Sequence, residues 1–209
     1  RYRSSAASDV YKRQRREPSG PRASKRHVGR AIRSAKKQLS RKRLHQLRRD
    51  GEHAAVLQAL ITVLCKTSLA SPSKLVKPLQ AIPAVHHPGL SDALADLLYG
   101  EEPYRQRLRR WLVTLAEVPS LRVTWPMATL PAALRFPKRH VLIRRRIFQL
   151  QARILLPEAI ARRHPTPRSY RRMKKVATTT RDVLIAHGLE PEDLMDVFSF
   201  SWELSLIHI

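Results

Sequence analysis

The chain has 209 residues, of which 41 are Lys or Arg and 16 Asp or Glu, for a formal net charge of +25. An apolar share of 43% supports a real core and excludes a fully disordered chain, while 6% aromatics makes that core aliphatic. Cys65 is the single cysteine, which excludes a disulfide framework and a cysteine-based zinc site and suits a reducing cytoplasm.

The two ends read as non-native. Asp9-Val-Tyr-Lys-Arg-Gln14 and Leu204-Ser-Leu-Ile-His-Ile209 are translations of one DNA stretch, GATGTGTATAAGAGACAG, read on its two strands. That stretch resembles the end of a transposon-based sequencing adapter, and Ser4 to Gln14 fit its continuation. Residues 1–14 and 204–209 are therefore set apart from the fold, which leaves 15–203 as a fragment of an open frame. Within it 37 basic residues face 15 acidic ones. Residues 15–50 carry 14 basic and 2 acidic side chains, 51–137 carry 9 and 6, and 138–175 carry 13 and 1. Residues 176–203 reverse the sign, with one basic side chain and 6 acidic. Two cationic blocks thus flank a nearly neutral middle, an arrangement that a polyanion would relieve.

Pro18, Gly20, Pro21 and Ser24 among arginines give 15–25 the character of a flexible basic arm. From Arg26 to 203 a single helical domain is expected. Val28, Ile32, Ala35 and Leu39 make a narrow apolar stripe, with Arg26, Arg30, Arg33, Lys37 and Arg41 gathered on the other side of the wheel. Leu44 falls on the basic side, so either the register breaks near Ser40 or the helix is loosely packed. Gly51 is the expected left-handed stop, and the apolar helix 52–66 that follows holds Cys65 as a small buried hydrophobe. Prolines at 72, 78, 83 and 88 predict a packed loop with at most a turn of helix near 74–79.

Ser91 is the expected N-cap of a helix stopped by Gly100. Pro103 then opens a helix whose stripe is Tyr104, Leu108, Trp111 and Leu115, with Arg105, Arg109 and Arg110 projecting away from it. Leu121-Arg-Val-Thr-Trp125 alternates and is paired with His140 to Ile143 as a short two-stranded element, with a short helix from Thr129 or Pro131 to Pro137 between them. A helix over 144–156 uses Ile147, Leu150 or Gln151, and Ile154. Thr166 and Pro167 open the clearest helix of the chain, which buries Tyr170, Met173, Ala177, Thr180 and Leu184 and stops at Gly188. A last helix after Pro191 offers Leu194, Val197, Phe198 and Trp202 to the core. The fold class predicted is all-α, an irregular bundle of about six helices with one short two-stranded element near 121–125 and 140–143.

The strongest chemical signal lies on the helix after Pro167. Arg168, Arg171, Arg172 and Lys175 follow i, i+3, i+4, i+7 and form one cationic face that can track a phosphate backbone. Arg144-Arg145-Arg146 means less, because consecutive helical residues point about 100° apart. His140 and His164 read as surface residues, and His86-His87 as a loop pair without the spacing of a metal site. No glycine-rich phosphate loop, nucleophile elbow or metal-ligand motif is present, so no enzyme, cofactor or metal is implied. The apolar run 54–65 is too short for a membrane span.

Three segments carry a resemblance: Pro137-Lys-Arg-His140, Pro167-Arg-Ser-Tyr170, and Gly188-Leu-Glu-Pro-Glu-Asp-Leu-Met-Asp-Val-Phe-Ser-Phe-Ser-Trp202. Over 137–202 the chain resembles a C-terminal helical segment of uncharacterised bacterial proteins, which implies a cytoplasmic bacterial origin and no activity. The function expected is nucleic-acid binding through backbone phosphates. Its two footprints are Arg26, Arg30, Arg33, Lys37 and Arg41, and Arg168, Arg171, Arg172 and Lys175. The alternatives are a module docking an acidic protein partner, or an accessory segment of an enzyme whose catalytic part lies elsewhere.

Overall fold

The computed structural model describes residues 21–157, 159 and 162–207. Ten α-helices occur among them: α1 (Pro21–Gln38), α2 (Arg41–Arg49), α3 (His53–Leu64), α4 (Lys77–Gln80), α5 (His87–Tyr99), α6 (Tyr104–Ala116), α7 (Trp125–Arg135), α8 (Arg145–Leu155), α9 (Pro167–Ala186) and α10 (Leu194–Ile207). A π-helical turn over Pro72–Val76 leads into α4, and a 3-10 turn over Ala84–His86 leads into α5. The all-α class stands. The bundle has more helices than the six predicted, and no strand occurs among the described residues.

The first described helix spans Pro21–Gln38, so 21–25 is helical where a flexible arm was expected; residues 15–20 lie outside the described part. Of the two alternatives for Leu44, the register break is the one found. Helix α1 ends at Gln38, and the Ser40 hydroxyl accepts a bond from the Arg43 amide at the start of α2. A new helix axis lets Leu44 turn inward, where it is 1% exposed. Gly51 ends α2 with φ +74°, and the Glu52 amide closes on Leu47 O at 2.8 Å. Cys65 stands just past α3 and is exposed, contrary to the buried role expected of it, because it falls seven residues after exposed Gln58, on the solvent side of the helix.

Helix α5 starts four residues before Ser91. Pro88 tolerates the first turn, where its missing N–H has no helical partner to lose, and Ser91 is buried inside the helix. Gly100 ends α5 for a reason of space. A Cβ there would lie 2.1 Å from Asp96 Oδ1 and 2.8 Å from Arg107 Cδ. That clearance admits the Arg107 guanidinium, which donates to Leu97 O at 2.9 Å and caps the end of α5 from within α6.

The expected two-stranded element is replaced by two extended segments around α7. Thr124 caps α7, with Pro126 in its first turn, and all residues from Met127 to Leu134 are buried. Pro131 sits in the helix interior. Its ring has no N–H for the Met127 carbonyl, and the Trp111 indole Nε1 donates to that oxygen instead at 3.4 Å. Val141, Leu142 and Ile143 are fully buried, and the Ile143 amide donates to Thr129 Oγ1 at 3.1 Å. A threonine side chain thus satisfies an amide that a ladder would otherwise have paired.

Helix α7 packs on α1, α5 and α6, while α8, α9 and α10 touch one another and α10 also reaches α1. In α8 the buried face is Ile147, Phe148, Gln151 and Ala152; Ile154, expected inside, is 73% exposed. Phe148 stacks toward Phe198 of α10, and this contact sets the rotation of α8. Arg144, just before α8, lies over the Trp202 ring at 4.8 Å and donates to Leu69 O, so it ties α10 to the loop after α3. Trp202 is therefore half-buried, whereas Trp111 and Trp125 are core. Helix α10 continues past 203 as far as Ile207, and Leu204 packs against the core. No described helix is long and apolar enough to cross a membrane.

Candidate nucleic-acid interface

Helices α6 and α9 are joined by a buried aromatic contact. Tyr104, at the start of α6, lies 4.0 Å from the His140 ring and 5.3 Å from the Tyr170 ring, centroid to centroid. Tyr170 Oη and His140 Nδ1 are hydrogen-bonded at 3.0 Å. His140 is thus buried where a surface role was expected, because Phe136, Tyr104 and Tyr170 enclose it. Burial, helped by the positive charges of Lys174, Arg107 and Arg139, lowers its pKa from 6.5 to about 3. The imidazole is therefore neutral. Burial also raises the pKa values of Tyr104 and Tyr170, so both hydroxyls keep their protons.

This joint positions the cations above it. The Thr166 hydroxyl accepts a bond from the Ser169 amide at 3.2 Å and fixes the first turn of α9. Arg168 and Arg171 flank Tyr170 in sequence, and both are exposed. Across from them, Arg105 follows Tyr104 and Arg109 lies one turn on, also exposed. Between the two helices runs a groove of about 570 Å³, with Arg105, Arg109 and Arg110 on the α6 side and Thr166, Pro167 and Arg168 on the α9 side. A second hollow of about 250 Å³ shares Arg105 and Arg168 and adds Arg171.

Charge in this groove is not neutralised internally. Among the described residues, Arg105, Arg109, Arg168 and Arg171 make no ion pair with a carboxylate. Arg110 is the exception. It forms a two-point bond with Asp96, at 2.9 and 3.1 Å, which raises its pKa further and leaves its guanidinium engaged. The groove is lined by the N-terminal residues of a 20-residue helix, whose dipole adds positive potential.

The predicted α9 face is therefore divided. Arg168 and Arg171 line the groove, while half-buried Arg172 and exposed Lys175 do not. The sequence reading missed Arg105 and Arg109 as partners of that face. Their i, i+4 spacing was visible, but nothing local announced that α6 would lie against the start of α9.

The other predicted footprint sits on α1 and α2. Arg30, Arg33 and Lys37 are exposed on α1, Arg41 is exposed at the start of α2, and the side chain of Arg26 lies outside the described part. Arg30, Arg33, Lys37 and Arg41 do not line the groove. No group of His, Cys, Asp and Glu that could hold a metal ion occurs among the described residues. Compared with known proteins, the chain matches no family, no curated sequence and no solved structure.

Proposed function

We propose that this protein binds nucleic acid through its backbone phosphates, with the groove between α6 and α9 as the principal contact and the exposed cations of α1 and α2 as a second. One observation carries the reading. Four guanidinium groups from two helices line a concave surface, and no carboxylate of the described residues pairs with them. Guanidinium forks match phosphate oxygens in shape and charge, and docking them releases condensed counterions. The lining contains no aromatic ring for base stacking, so recognition by base identity is not part of the proposal.

The test is a combined variant, Arg105→Ala, Arg109→Ala, Arg168→Ala and Arg171→Ala. All four side chains are exposed, so the fold is expected to survive, as circular dichroism would verify. Affinity for a mixed-sequence oligonucleotide, followed by fluorescence anisotropy, should fall at least about tenfold at moderate salt. Unchanged affinity would overturn the reading. Tight capture of an acidic peptide by a protein that ignores nucleic acid would instead support docking to an acidic protein partner.

A further inference from the structure

Resting on the phosphate-binding reading, we infer that the groove takes a single strand rather than a duplex, with two consecutive phosphates seated one on each side of the Arg105–Arg168 pair. The two hollows share these residues, so the pair stands where they adjoin, and each hollow offers one seat. Arg109 belongs to the larger seat and Arg171 to the smaller; with Arg110 of the larger seat held by Asp96, each seat has one arginine without a carboxylate partner of its own and two held in common.

The walls set the geometry. Cations stand on both walls, so a backbone lying in the groove is gripped from two sides. A free strand can offer both sides of its backbone to such a groove. A duplex is a stiff convex cylinder whose bases occupy the inner side of each backbone, and it would meet only the rim. The exposed cations on α1 and α2 face outward from helix surfaces and carry no such selection; either form of nucleic acid can rest on them.

The experiment compares one sequence as a labelled single strand and as a blunt duplex of equal length, with the full chain. Wild-type protein should bind the single strand about tenfold more tightly, and the four-arginine variant should bring that ratio close to one. A second variant, Arg33→Ala with Lys37→Ala, should weaken both forms to a similar degree and keep the ratio. Equal wild-type affinities, a preference for the duplex, or a ratio untouched by the groove variant would overturn this inference while leaving phosphate binding intact. Binding of neither form would overturn both.

Discussion

Truncating Trp111 to alanine should destabilise the protein by about 4 kcal/mol, a large share of the stability of a domain this size. Trp111 is 1% exposed and fills the contact between α6 and α7. The more informative variant is Trp111→Phe, which retains a ring and removes the indole N–H. It leaves the Met127 carbonyl without a donor, because Pro131 cannot supply one, and should lose about 1–2 kcal/mol. Pro131→Ala restores a helical amide four residues after Met127. Combined with Trp111→Phe it should recover most of that loss, as read from urea unfolding midpoints. A double variant no more stable than Trp111→Phe alone would show that the indole does not compensate for the proline.

Stability should also fall early in acid. His140 in the unfolded chain titrates near 6.5, whereas the folded protein lowers it to about 3. The unfolded state therefore takes up the proton first. This contribution is complete above pH 6.5 and is lost as pH falls from there toward 3, at up to about 1.4 kcal/mol per pH unit. By pH 5 the loss from this one residue should reach about 2 kcal/mol. The asparagine amide of His140→Asn can take the place of Nδ1 beside Tyr170 without gaining a proton in this range. Subtracting its stability curve from that of wild type isolates the imidazole from the carboxylates, including Asp193, whose pKa burial raises. A flat difference between pH 7 and pH 4 would mean that the ring is not held neutral. Because His140 lies beneath the joint of α6 and α9, acid should loosen the groove along with the core.

Helix α9 was legible almost residue by residue. Thr166, Pro167 and Gly188 mark its ends chemically, and its apolar stripe repeats at helical spacing, so Tyr170, Met173, Ala177, Thr180 and Leu184 are all buried. Helix α7 was not legible. It is apolar on every side, which erases the period, and Pro131, read as a possible helix start, lies inside the helix with the Trp111 indole behind it. The alternation around Leu121 and the branched residues near Ile143 suggested paired strands. Leu121 and Trp125 face the core with exposed Arg122 between them, and Val141 to Ile143 are buried, which gives such a pattern without a ladder. In the groove, Arg168 and Arg171 could be read from one helix alone. Their pairing with Arg105 and Arg109 depends on contacts among Tyr104, His140 and Tyr170, which join distant parts of the chain through packing.

The phosphate reading is tested most directly by the affinity of the wild-type protein for a single-stranded oligonucleotide across a salt series. The two phosphates seated in the groove should contribute about −1.4 to a straight fall of log K against log salt concentration, which the cations of α1 and α2 make steeper. In the four-arginine variant the slope should be shallower by that same amount. An affinity that holds constant as salt rises, or equal slopes for the two proteins, would contradict the assignment of the α6–α9 groove to the nucleic-acid backbone.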